Sequence, residues 1–139
     1  MENSNKSDQY FWHMVSSSLY ILLVVLAIVF LNSQGKLTKD IPVFDFIILI
    51  LATYRLIRLF TYDRVMDFVR DYLAKFESGP GRTLWHLIDC PWCTGVWMAL
   101  IVFFLYFAHP LFWYFLLIMA IAGAATFTQI TIWKIGRED

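Results

Sequence analysis

The chain has 139 residues, of which 60% are hydrophobic, 19% aromatic and 16% charged. That balance lies outside the range of an ordinary soluble domain and points to a lipid environment. With 11 basic against 11 acidic residues the formal charge is zero, which excludes a global basic field for nucleic acid or an acidic substrate.

Four apolar runs predict about four transmembrane helices, since a span needs roughly 20 mostly apolar residues and must satisfy its own backbone hydrogen bonds. The first, 10–31, ends in "LYILLVVLAIVFL" and is followed by the turn-prone "NSQGK". No small-x-small cleavage pattern follows it, so it is expected to stay as an anchor. The second, 43–62, reads "VFDFIILILATYRLIRLFTY" and carries Arg55 and Arg58 in its second half. Arg58 is expected to snorkel to the interface, whereas Arg55, one turn deeper, needs a partner.

Next comes "DRVMDFVRDYLAKFE", residues 63–77, with Val65, Phe68, Val69, Tyr72, Leu73 and Phe76 at helical spacing and charges on the other face. This predicts an amphipathic interfacial helix, ended by "SGPGR". The third apolar run, 94–108, becomes a full span if residues 90–93 form its first turn, with Pro91 tolerated at a helix start. The fourth, 111–133, follows His109 and Pro110 so closely that the two spans form an antiparallel hairpin. Its Ala120, Gly123 and Ala124 have the small-residue spacing that lets helices approach closely.

The fold class is therefore an all-α integral membrane bundle. Residues 1–42 supply a tail, the first span and an outer loop, residues 43–133 a membrane domain, and residues 134–139 a polar tail. Lys6, Arg64, Arg70, Lys75, Arg82, Lys134 and Arg137 fall on one side of this arrangement, and Lys36 and Lys39 on the other. That asymmetry predicts a protein of the cell membrane with both termini and the cysteine loop in the cytosol.

Both cysteines lie in "HLIDCPWCTGVW", residues 86–97. Packing is the first reading: two small cysteines and Gly95 allow a close helix approach beneath Trp92 and Trp97, which suit an interfacial aromatic belt. Thiol chemistry is the second. A helix N-terminus favours the Cys90 thiolate and Pro91 stiffens the turn, while Asp89 opposes ionisation. Cys90 would then attack and Cys93 resolve. The third reading is a structural metal site on His86, Cys90 and Cys93, for which zinc would want a fourth ligand.

An arginine inside a membrane almost always has a partner. Arg55 and Arg58 are expected to pair with Asp63 and Asp89, fixing the second span against the cysteine loop. No nucleotide loop, catalytic carboxylate pair, Ser-His-Asp order or H-E-x-x-H is present, so no familiar hydrolase, kinase or metalloprotease is indicated.

Together "ATYRLIRLFTYD", residues 52–63, and "CPWCTGVW", residues 90–97, resemble a bacterial family of small membrane proteins catalogued as domain of unknown function 1360, which includes a sporulation protein, YjcA. The resemblance spans about residues 45–125. Its motifs map to Arg55, Leu56, Arg58, Leu59 and Asp63, and to Cys90, Pro91, Trp92, Cys93, Gly95 and Trp97. It implies a multi-pass membrane protein and supplies no reaction or ligand.

The favoured reading is a non-enzymatic membrane component that acts through the bilayer, a membrane protein partner or a second copy of itself. Its Arg and Cys motifs would build one structural site at the cytosolic face. A membrane thiol-disulfide oxidoreductase or redox sensor using the CPWC pair is the alternative. No cofactor is expected, and zinc enters only through the metal reading.

Overall fold

In a computed structural model the protein is all-α, and the structure describes residues 2–137, with side chains from Lys6 onward. The helices are α1 (Glu2–Ser33), α2 (Val43–Thr61), α3 (Asp67–Ala74), α4 (Pro80–Asp89), α5 (Pro91–Ala108) and α6 (Leu111–Ile135), with one 3-10 turn at Arg64–Met66 before α3. By length and composition α1, α5 and α6 can each cross a membrane. Although 19 residues long, α2 falls outside that set: it carries Asp45, Arg55 and Arg58.

Local chemistry accounts for the breaks. At the end of α1, Gly35 adopts φ +65°, the amide of Lys36 bonds the carbonyl of Leu31 and that of Gly35 bonds Asn32. This is the paired capping pattern that a glycine in the left-handed region permits. A second glycine, Gly79 at φ +80°, turns the chain between α3 and α4, and Pro80 then occupies the first helical position.

Here the structure departs from the sequence reading. The amphipathic segment is a 3-10 turn followed by a helix that ends at Ala74, and "SGPGR" starts α4 as well as ending α3. Helix α4 was not foreseen. The fourth helix run also extends beyond Trp133, so residues 134–135 belong to α6, and the last two residues of the expected polar tail lie outside the described residues.

The core lies where α2 meets α5 and α6. Ile48, Ala52 and Leu56 form an i, i+4 stripe on α2 and bury against Val102 of α5 and Leu116 and Ala120 of α6. Contacts along the helices set their directions. Asp45 lies by Trp113 and Tyr54 by Phe127, so α2 and α6 run parallel; Tyr106 lies by Asp45 and Gly95 by Ile57, so α5 runs against both.

Helix α1 stands outside this trio. It runs alongside α5, with the Tyr20 ring 5.2 Å from that of Trp97, the Phe30 ring 6.2 Å from Phe104, and Lys36 Nζ donating to the carbonyl of Ala108 at 2.5 Å.

At the close crossing of α2 and α6, a side chain on Gly123 would meet the carbonyl oxygen of Leu51 at 2.5 Å. Glycine is what allows that approach.

Candidate functional site

The cysteine pair sits on a corner built by one proline. A residue before proline is pushed out of the helical region, and Cys90 accordingly has φ −99° and ψ 110°, while Pro91 opens α5. The Cys90 amide bonds the carbonyl of His86 and closes α4; the Thr94 amide bonds the carbonyl of Cys90 and starts α5. Thr94 Oγ1 then donates to the carbonyl of Leu87 at 2.6 Å, tying one helix to the other. Thr94 is buried, so this bond fixes the corner from within.

Within the motif the residues divide between two tasks. Gly95 faces α2, where an added side chain would meet Ile57 Cδ1 at 3.2 Å, and Trp97 packs on Tyr20. Trp92, 85% exposed, points away from the bundle. Both cysteines are free thiols; Cys90 is half-buried and Cys93 exposed. The close approach thus falls to Gly95, and neither cysteine is consumed by packing.

The amide and thiol of Cys93 favour the Cys90 thiolate and hold its pKa below the ordinary cysteine value, against opposing contributions from burial and Asp89. Nearby, His86 is held below the ordinary histidine value, first by burial, then by Arg82 and His13, with Asp89 acting the other way. Its ring lies 5.0 Å from that of Trp85 and 6.0 Å from that of His13.

These contacts bear on the metal reading. Among the described residues, no three of His, Cys, Asp or Glu gather where they could hold a metal ion. The His86 ring lies by His13 and Trp85, and His86, Cys90 and Cys93 do not gather as a ligand set among the described residues.

The arginines make a separate feature. Arg55 Nη1 lies 2.9 Å from Asp63 Oδ2, with the two side chains 24% and 25% exposed. Arg58 takes a different course. Its guanidinium sits 5.1 Å from the ring centre of Tyr62, and among the described residues it forms no ion pair with Asp63 or Asp89. The Nε of Arg58 and the hydroxyl of Thr61 are buried and have no hydrogen-bond partner among the described residues.

Arg70, counted in the sequence as part of a polar face and of the charge asymmetry, is the residue that closes α2. It donates to the carbonyls of Phe60 at 3.2 Å and Asp63 at 3.1 Å and also binds the carboxylate of Asp67. The Phe60 carbonyl belongs to the last turn of α2, where a cation is favourable, and the Asp63 carbonyl also accepts the Met66 amide at 3.2 Å. No hydrogen bond, ion pair or ring contact joins the arginine motif to the cysteine turn among the described residues. The reason is angular: Arg55 lies against Gly123 of α6, whereas Ile57 carries the contact with α5.

A further polar node escaped the sequence reading. At the opposite end of the bundle Asp45 accepts from the Tyr106 hydroxyl at 2.6 Å and from Trp113 Nε1 at 3.2 Å, so one carboxylate ties α2 to α5 and α6. Its signal was available: Asp45 is an acid inside an apolar run, in the first turn of its helix.

Comparison with known proteins brings the same corner forward. Residues 77–132 match the family described as "Protein of unknown function (DUF1360)", which takes in α4, α5 and most of α6 but leaves Arg55 and Arg58 outside the match. The chain is also 32% identical to the UPF0713 protein YngL of Bacillus subtilis (strain 168), covering 63% of this chain and 77% of that relative. Neither description mentions sporulation or an activity. No solved structure matches. With the cysteine corner inside the family match and more than three quarters of a relative covered, the chain belongs to the DUF1360 family.

Proposed function

We propose that this is a multi-pass protein of the cytoplasmic membrane whose Cys90–Cys93 corner is a redox-responsive dithiol at the cytosolic face. One observation carries the reading: both cysteines are free and accessible at a helix start, Cys90 is favoured as thiolate, and the packing role falls to Gly95 and Thr94. This favours thiol exchange over the purely structural component. In this reading α2 crosses with α1, α5 and α6, because it runs beside α5 and α6 and its charges are paired, stacked or hydrogen-bonded. The excess of Lys and Arg on the cysteine side supports the orientation.

Chemically, the Cys90 thiolate attacks a partner's disulfide and forms a mixed disulfide, releasing one partner thiolate. The Cys93 sulfur then attacks Cys90, giving the internal disulfide and expelling the second partner thiolate, while the Cys93 proton passes to that leaving thiolate or to water. The partner gains two electrons and this chain loses them. A cytosolic location keeps the resting pair reduced.

The test is labelling with a membrane-impermeant maleimide in intact cells and in inverted vesicles. Protection in cells, with Cys90 labelling in vesicles well below the usual thiol pKa of about 8.5, is the expected result. A mild oxidant should abolish labelling, and Cys93→Ser should remove that protection. Thiols that react only after the membrane is dissolved would return the motif to a packing role.

A further inference from the structure

Helix α1 leans on the rest of the bundle without closing against it. A cavity of about 430 Å³ lies between Trp12 and Leu19 of α1, Leu84 and Leu87 of α4, and Trp97 and Ile101 of α5. A second, of about 530 Å³, continues between the same long helices past Ala27, Phe30 and Phe104. Ile101 lines both, so they are two stretches of one furrow. From Trp12 to Phe30 a helix rises about 27 Å, close to the thickness of a bilayer's hydrocarbon core.

The walls select for hydrocarbon. The hydroxyls of Thr83 and Thr94, both on the cavity lining, already donate to the carbonyls of Gly79 and Leu87. A polar solute would find few partners there and would lose its water. An alkyl chain loses nothing, and it fills the space left beside the Tyr20–Trp97 and Phe30–Phe104 contacts of α1 and α5.

Charge distinguishes the two ends. Apolar residues of α4 roof the furrow, and its other face carries Arg82 and His86, so the helix separates water from hydrocarbon as an interfacial helix does. The Arg82 guanidinium rests 4.4 Å from the ring centre of Trp85 and has no carboxylate partner among the described residues. His86 lies within electrostatic reach of it, and the His13 ring is 6.0 Å from that of His86. At the far end the nearby cation, Lys36, is already held by the carbonyl of Ala108.

We propose that the furrow holds one acyl chain of an anionic glycerophospholipid, with its phosphate at the Arg82 end and α1 as the cover. The inference rests on the multi-pass reading and is independent of the dithiol chemistry.

The experiment is photo-crosslinking of the full chain in vesicles with a phospholipid bearing a diazirine on its acyl chain, made with either a glycerol or a choline head group. Modified residues are mapped by mass spectrometry. Cross-links concentrated on Leu19, Met98 and Ile101, with about a fivefold preference for the anionic probe, are expected; that factor is what one basic side chain contributes near an anionic surface. Arg82→Gln should remove the preference, and Ala27→Phe should thin the cross-links by filling the furrow.

Cross-links spread evenly over the outward faces of α1, α5 and α6 would overturn the proposal and leave only bulk lipid. Adducts that spare Leu19, Met98 and Ile101, together with a bifunctional amine- or carboxyl-independent photo-reagent joining two copies along α1, would overturn it in favour of a self-association surface. A chain that escapes labelling and stays in the aqueous fraction would overturn the membrane reading itself.

Discussion

Replacing Gly123 with alanine tests whether the α2–α6 contact sets the bundle's geometry. The added methyl would stand 2.5 Å from the carbonyl oxygen of Leu51, 3.2 Å from its carbon and 3.3 Å from Arg55 Cβ. Carbon–oxygen contacts of this kind settle at about 3.3–3.6 Å, so α6 has to retreat by roughly 0.8–1.1 Å. The obstacle is backbone in the middle of a helix, so no rotamer change relieves it. Separation also loosens the stripe of Ile48, Ala52 and Leu56 against Leu116 and Ala120. Overpacking of this type costs about 1–3 kcal/mol. Gly95→Ala is the matched control. Its nearest obstacle, Ile57 Cδ1 at 3.2 Å, is the end of a flexible side chain, and the cost should stay below about 1 kcal/mol. Reversible unfolding of the purified protein from mild detergent into a denaturing one, followed by tryptophan fluorescence, gives both values. If Gly123→Ala leaves the midpoint unchanged, or Gly95→Ala proves the more damaging, the contact does not govern the bundle.

Arg55→Leu leaves the Asp63 carboxylate partly buried and unpaired, and should destabilise by about 1–3 kcal/mol, between exposed and buried pairs. Adding Asp63→Leu should recover part of that loss in a double-mutant cycle; a coupling indistinguishable from zero would sink the pairing. Asp45→Asn exchanges an acceptor for an amide donor facing Tyr106 or Trp113, and should cost about 1–3 kcal/mol, read in the same unfolding assay. His86 has its folded pKa depressed, so the unfolded chain binds protons more readily. Its contribution is present above about pH 6.5 and is lost as the pH falls below that value. Faster hydrogen exchange in α4 at pH 5.5 than at 7.5, corrected for intrinsic rates, would show this, and His86→Gln should flatten the difference.

What was legible in the chain followed from periodicity and punctuation. The apolar run around Leu111 and the proline at position 91 define α6 and the start of α5, because length and a missing amide act locally. Arg55 announced a need for a partner, since a charge in an apolar run must be compensated, and Asp63 lies within its reach. Helix α4 escaped notice because Gly79, Pro80 and Gly81 read as an ending, and only Pro80 at the first helical position reveals them as a beginning. Arg55 finds Asp63, and the expected pair of Arg58 with Asp89 is not made among the described residues, for a reason of angle. Arg55 and Ile57 are two residues apart and therefore face different neighbours, which a linear reading of membrane depth does not separate. Arg70 was hidden among exposed charges, since its role depends on where α2 stops.

The parallel pairing of α2 and α6 has a consequence for how the chain is made. Tyr54 waits for Phe127 and Asp45 for Trp113, each about 70 positions downstream. At ribosomal speeds of about 5–20 residues per second, α2 is therefore several seconds old before its main neighbour exists. Through that interval its immediate sequence supplies the Arg55–Asp63 bridge, eight positions apart, and the stacking of Arg58 on Tyr62. Those local contacts compensate both arginines of α2 before the last helix arrives.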